Sequence, residues 1–362
     1  MSLALGVFHG RPWAMRYLSV IIAISALAPG VQANSCSRAL VSILKPLRPS
    51  APQAPRSLTE IPELRFGTYN TYNLMQSADG ASIKSDLKRH GVAAPILEHD
   101  LDIVVLQEVE NLNAIKSFSE KYLKDRYDVL LSTGNDARGI QVAFLVKKDL
   151  PFRIKLDTHV DARAIYPVTG QETAIFSRDL PAIRLWENSQ NPETEDPLVV
   201  FYGTHFKSKR DKDGDPESRI LRRVQVETAA SIIRDDKKKH PSSFVMLAGD
   251  FNGDVRTDPE FEPLRSFMVD AFEAQATTPL DAERITHSFH PHDAPATYSQ
   301  IDAFFVAPEN SALVTETFVH RYKNEAGEIK PVPRSWDERD LNPSDHFPVI
   351  LKIELQTISR RA

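Results

Sequence analysis

Near the end of the chain, Ser344, Asp345 and His346 stand just before an apolar run, Pro348 to Leu351, that reads as a buried strand. Well upstream, Asp250 and Asn252 follow the strand-like Phe244 to Leu247. Each run sets a carboxylate and a polar partner at a strand tip, where a scaffold can hold charged groups rigidly around a divalent metal and a phosphate. Together, and with similar runs before them, they make metal-assisted cleavage of a phosphodiester the leading expectation.

The earlier runs each carry two readings. Asn70 follows the strand-like LRFGTY and could give an oxygen to a metal or orient a carboxylate, or could simply end a strand as Asn often does. Glu108 ends DIVVLQE, so its carboxylate sits at a sheet edge as a hard-oxygen metal ligand or as a charge at the start of the next helix. His205 closes VVFYGTH and precedes Lys207, Lys209 and Arg210, a setting for a phosphate oxygen or an ordinary strand exit. Asp250 can take a proton from water and Asn252 can orient a phosphate, although Asp-x-Asn turns are common. Asp302 lies inside the apolar IDAFFVA, where an unpaired charge is costly. His346 is its natural partner, because a carboxylate fixes an imidazole's tautomer and raises its basicity.

These residues need strands that end together. The pattern predicts strands at Leu64–Tyr69, Ile103–Leu106, Ile140–Val146, Leu198–Thr204, Phe244–Leu247, Ile301–Val306 and Val349–Leu355. It predicts helices at Ala81–Leu97, Leu112–Leu123 and Glu217–Arg234. Strands and helices alternate with no linker after residue 63 and no internal repeat, which points to one α/β domain with two sheets over residues 63–357.

In order along the chain, TYNTYNL, VVLQEVEN, YGTHFKS, LAGDFNGD, QIDAFFV and SDHFPVI resemble the endonuclease/exonuclease/phosphatase superfamily, the deoxyribonuclease-I-like proteins. The resemblance spans roughly residues 64–355. It implies a four-layer α/β sandwich of two mixed β-sheets flanked by helices, and cleavage of phosphate esters with magnesium or manganese. By the same resemblance Glu108 is the main metal ligand, helped by Asn70 and Asp345. Asp250 positions or deprotonates the attacking water, Asn252 binds the phosphate, and His346 with Asp302 acts at the scissile phosphate. His205 contacts a phosphate oxygen, and Arg138 and Lys207 bind substrate. Two departures stand out. No acid near Ile140 partners His205, and Tyr72 occupies a position where many relatives carry an acid.

Composition narrows the rest. The net charge of −5 gives no overall basic field, so contact with nucleic acid would need a local one. Arg11 and Arg16 precede the apolar Tyr17–Leu27, and Pro29-Gly30 and small residues to Ala33 follow, the pattern of a cleaved signal segment over 1–33. A Pro-rich leader over 34–62 then precedes the domain. Cys36 is the single cysteine, which excludes an intrachain disulfide. The expectation is a secreted or periplasmic monomer with no stable membrane insertion. HSFHPHD, with His287, His290 and His292, reads as a surface loop with transition-metal binding as the alternative, and Asp211–Asp215 as a solvated loop with structural calcium as the alternative. Three functions remain open: a nuclease, favoured by Arg138, Lys207, Lys209, Arg210 and Arg219 to Arg223; a sphingomyelinase or other lipid or inositol phosphoesterase on the same fold; and a binding protein that lost catalysis.

Overall fold

The computed structural model describes residues 56–74, 84–292 and 294–355. The expected signal segment and residues 34–55 of the leader lie outside the described residues. In chain order the strands are β1 (Glu63–Leu74), β2 (Ile103–Val109), β3 (Tyr127–Ser132), β4 (Gln141–Lys147), β5 (Phe152–Asp157), β6 (Arg163–Tyr166), β7 (Gln171–Ala174) and β8 (Ala182–Glu187). They continue with β9 (Val199–His205), β10 (Phe244–Asp250), β11 (Val269–Asp270), β12 (His287–Phe289), β13 (Thr297–Ser299), β14 (Asp302–Val306), β15 (Val314–Val319) and β16 (Val349–Glu354). The main helices are α1 (Asp86–Glu98), α2 (Leu112–Tyr122) and α3 (Arg219–Lys239).

Two six-stranded sheets result, in the orders β15-β16-β1-β2-β4-β3 and β11-β14-β10-β9-β8-β5. Both are mixed. β1 runs parallel to β2 and antiparallel to β16, and β10 runs parallel to β9 and antiparallel to β14. β6–β7 and β12–β13 are separate hairpins.

The central strands are buried on both faces, so their sequences are continuously apolar. Alternate residues serve different cores. Val199 and Phe201 of β9, Phe244 and Met246 of β10, and Phe304 and Val306 of β14 enter the core shared with the first sheet. Val200, Tyr202, Val245, Leu247, Ala303 and Phe305 pack instead with Val226, Ala229 and Ile233 of α3. Phe201 is the hub between the sheets, with ring centroids 5.5 Å from Phe66, 5.4 Å from Phe144 and 5.9 Å from Phe304. On the other side of the first sheet, Val92 and Ile96 of α1 and Ile115 and Phe118 of α2 close the packing. The layers are therefore helix, sheet, sheet, helix, as expected. Among the described residues no helix is long and apolar enough to cross a membrane.

α2 starts at the expected Leu112, whereas α1 starts at Asp86 rather than at the expected Ala81, and both starts have plain local causes. Ser85 caps α1 by accepting Lys88 N–H, and Asn111 caps α2 by accepting Ala114 N–H. Glu217, expected inside the long helix, has φ 53° and precedes it. The start of α3 is instead fixed by Asp215, whose carboxylate accepts the backbone N–H groups of Ile220 and Leu221 at 2.8 and 2.9 Å and the Tyr166 hydroxyl at 3.0 Å. Both oxygens of Asp215 are thus committed to protein donors, and capping is the work this loop performs.

Candidate active site

The period of two that fills the core also sets the site. His205 shares the parity of Phe201, Asp250 that of Met246, and Asp302 that of Phe304, so all three fall on the sheet-facing side. The register then aligns them. Asp250 pairs directly with His205 on one neighbouring strand and with Asp302 on the other, a row of three across β9, β10 and β14. Gly249 makes this possible: its φ is 153°, and an added Cβ would lie 1.9 Å from Thr204 O. Opposite the row, Asn70 continues the parity of Phe66 and donates its amide to Asp250 Oδ2 at 2.8 Å, bridging the two sheets. Glu108 would point to the helix side of β2, but its φ of 61° and the register shift between Gln107 and Val109 turn it. That bulge re-aims a carboxylate at a sheet end, and Glu108 Oε1 lies 4.0 Å from His205 Nε2.

His346 arrives from the loop before β16. Ser344 fastens this loop by donating its hydroxyl to Asn70 O at 2.8 Å, and the same oxygen accepts His346 N–H at 3.2 Å. His346 Nδ1 lies 2.8 Å from Asp302 Oδ2, while Nε2 faces Asp250 Oδ2 and Asp345 Oδ1, each at 3.9 Å. Burial works against charge on this imidazole, but Asp302, Asp250 and Asp345 outweigh it and hold its pKa well above the ordinary value. His205 is the opposite case: burial, with Arg178 and His346 nearby, holds it well below. Its Nε2 is 3.4 Å from Asp250 Oδ2, and its buried Nδ1 has no hydrogen-bond partner among the described residues, in keeping with the missing acid near Ile140.

Asp250 is fixed on both oxygens. Oδ1 accepts Asn252 N–H at 2.8 Å, and Oδ2 accepts the Asn70 and Asn252 amides. Burial pushes its pKa up to about 6, with His346 pulling it down. Asn252, which has φ 55°, gives its second amide hydrogen to Phe206 O at 3.0 Å. Its NH2 is therefore spent on the protein, and the geometry makes it a clamp on Asp250 where a phosphate donor was expected. Glu108 is pushed upward by burial and then by the like charges of Asp345 and Asp250. It accepts Asn73 N–H at 3.1 Å, and among the described residues no Lys or Arg lies within 4.0 Å of its carboxylate. An under-compensated carboxylate beside the like charge of Asp345 offers hard oxygens that suit a small divalent cation, while Asn70 would have to release or share its oxygen from Tyr72 N–H, which it accepts at 3.0 Å, to join them.

A cleft of about 390 Å³ is lined by Arg138, Arg178, Lys207, Arg210 and Lys212, with Asp136 and Tyr166 on its wall. Arg178 supports the cleft floor by donating to His205 O at 3.1 Å and to Phe206 O. Arg138 is half-exposed and folds back on Asp136 at 3.2 Å. The other expected basic residues do not join this surface. Arg222 is fully buried and bound to Glu260 at 2.5 Å, Arg219 and Arg223 pair with Glu217 and Glu227 at 2.8 Å each, and Lys209 pairs with Asp258 at 3.0 Å.

The chain is similar in structure to truncated Caenorhabditis elegans TDP2, with a TM-score of 0.55 and 18% identity over 81% of this chain and 98% of that one. It is similar to an endonuclease/exonuclease/phosphatase from Bacteroides vulgatus, with a TM-score of 0.52 and 19% identity over 81% and 98%. D. rerio TDP2 complexed with a single-strand DNA product gives a TM-score of 0.51 and 16% identity over 80% and 98%. No protein-family profile and no curated protein matches the sequence. The chain has the endonuclease/exonuclease/phosphatase fold.

Within that fold, two contributors escaped the sequence reading. His287, expected in a surface loop, is on β12 and forms a bridge with His346. Its ring centroid is 4.9 Å from that of His346, and its Nε2 is 3.9 Å from Asp345 Oδ2. Burial and the neighbouring His346 hold its pKa down to about 3, so it is a neutral imidazole in the site wall. Arg339 lies 3.6 Å from Asp345 Oδ2 and 3.8 Å over the Trp336 ring, which gives Trp336 the packing role expected of it. The sequence signal for His287 was its place in the histidine-rich HSFHPHD; its strand is three residues long, too short for periodicity to reveal.

Proposed function

We propose that the chain is an exported, divalent-metal-dependent phosphodiesterase that hydrolyses nucleic-acid phosphodiester bonds by in-line attack of water. The observation that carries the reading is the single row His205–Asp250–Asp302, faced by Asn70, Glu108 and an Asp302-bound His346. Asn70, Glu108 and Asp345 would hold the ion, magnesium or manganese. A bound divalent ion would supply charge for the pentacovalent transition state and a more acidic water.

The chain's own residues supply the proton chemistry. Asp250, clamped by two amides and with a raised pKa, is suited to orient and deprotonate the attacking water. Asp302 accepts a hydrogen bond from His346 Nδ1–H, so Nε2 is the nitrogen that carries a proton towards the phosphate or the leaving oxygen. Neutral His205 offers Nε2–H to a non-bridging oxygen. Arg138, Lys207, Arg210 and Lys212 form a cationic track, and this favours a polyanionic chain over a single lipid head group. Export rests on the pattern of residues 1–33.

The test is nicking of supercoiled plasmid by the purified protein with magnesium or with EDTA. Magnesium-dependent nicking is expected, and His346→Ala and Asp250→Ala should each lose roughly 10²-fold or more while keeping their circular dichroism. Near-wild-type nicking by either variant would overturn the site assignment. A folded, magnesium-binding protein that does not nick would move the reading to phosphoesters of lipids, with sphingomyelin as the next substrate.

A further inference from the structure

A second group of metal-binding side chains lies away from the acidic row. Glu98 ends α1, His99 is its C-cap residue, and His320 directly follows β15. One ligand atom from each lies within 4.8 Å of the others, and His99 Nε2 is 2.9 Å from His320 Nδ1. The two rings meet edge to face at 5.1 Å and 80°, and His99 also packs on Phe318 at 5.1 Å. His320 is anchored from below: its N–H donates to Pro348 O at 2.9 Å, holding edge strand β15 to β16.

We propose that Glu98, His99 and His320 form a second metal site, for a late first-row divalent ion such as zinc, chemically distinct from the hard-oxygen site at Glu108. Two imidazoles and a carboxylate are the donors that such ions take, with a fourth position for water, whereas magnesium prefers oxygen alone. Tetrahedral zinc with Zn–N near 2.0–2.1 Å separates its two nitrogens by about 3.3 Å. The present nitrogens are slightly closer and face each other, so the rings must part by a few tenths of an ångström and turn their lone pairs towards the ion. His99 is half-buried at a helix end and Glu98 is exposed, so this motion and the access of water are both open. Of His99 Nε2 and His320 Nδ1, facing each other at 2.9 Å, one donates its proton to the other. On binding, each ring keeps one proton, moved to the nitrogen away from the metal.

The neighbouring cations define the competition. Lys323 donates to the Glu98 carboxylate, so the ion must displace its ammonium. Lys352 is paired with Glu316 at 2.5 Å, and the Arg321 guanidinium is held by Ile285 O at 2.6 Å. Bound, the ion would tie the end of α1 to the exit of β15. That exit leads to Tyr322, whose hydroxyl donates to His346 O at 2.6 Å. The site is thus placed to stiffen the support of the catalytic segment without touching substrate.

Calorimetric titration with zinc chloride in excess magnesium tests this on the whole chain. The expected result is one zinc-binding event, weakened at least tenfold in His99→Ala and in His320→Ala and tightened in Lys323→Ala, where Glu98 is released. His99→Ala should leave magnesium-dependent nicking intact, and circular dichroism checks that His320→Ala folds. Unchanged zinc affinity in His99→Ala would overturn the proposal. So would zinc binding that Glu108→Gln abolishes, because the ion would then occupy the other site.

Discussion

At the scale of single residues, the proposed chemistry turns on the His346–Asp302 pair. Neither group would sit buried and charged alone, and at 2.8 Å each compensates the other. The raised pKa of His346 fixes the sign of its pH dependence. The stabilisation from its charge is fully present below the unfolded pKa of ~6.5 and is lost as pH rises through the higher folded value. Turnover that needs the imidazolium should follow the same alkaline limb. Asp302→Asn removes the carboxylate that both raises the pKa and selects the tautomer. The expected outcome is a lower His346 pKa by NMR titration and an alkaline limb displaced to lower pH by at least one unit, with a fall in kcat. An unmoved limb would show that another group sets it. Much of this pair was legible in sequence, because an acid inside IDAFFVA has to find a partner. What could not be read was which atoms are already spent. The amide of Asn252 and both oxygens of Asp215 serve their own backbone neighbourhoods, and only three-dimensional contact reveals that.

At the scale of elements, the reacting residues are extensions of the hydrophobic pattern. β9, β10 and β14 alternate between two cores, and the inner face of each ends in a polar residue: His205 after Phe201 and Gly203, Asp250 after Met246 and Ala248, and Asp302 beyond Phe304. The pivot is Phe201, which touches aromatic rings from both sheets. Phe201→Ala should therefore cost about 3–5 kcal/mol, read as a lower urea midpoint with an unchanged slope. A loss below about 1 kcal/mol would mean that the sheets close around the gap. Sequence reading located the doubly buried central strands and missed β3, β5, β11 and β15, which are the four sheet edges. The reason is physical. An edge strand such as β5, FRIKLD, buries one side partially and alternates with charge, so it lacks the continuous apolar signal. β8 was missed for another reason: its Arg184 interrupts an apolar run, and the cost is offset by bonds to Asp157 at 2.5 Å and Asp236 at 2.8 Å.

At the scale of the whole molecule, the proposed polyanionic substrate must approach a chain of net charge −5. The protein's basic groups are mostly neutralised in pairs, as Arg219, Arg222 and Arg223 illustrate, and those pairs add little long-range field. Lys207, Arg210 and Lys212 instead gather on one cleft, together with Arg138, which is itself paired with Asp136. Recognition of substrate should therefore be local and strongly screened. Each phosphate contact releases condensed counterions, so the logarithm of apparent affinity falls with the logarithm of salt by about 0.7 to 0.9 per contact. With the four cleft cations engaged, the slope for an oligonucleotide should be about −3, and Lys207→Ala or Arg210→Ala should each make it shallower by about 1. Neither variant should alter the alkaline limb set by His346, since neither residue bonds the Asp302 pair. The measurement is fluorescence anisotropy with a non-cleavable oligonucleotide across a salt series. A slope near zero, unchanged by either substitution, would remove the cleft from the substrate path and return weight to a single-phosphate substrate that fits at the acidic row alone.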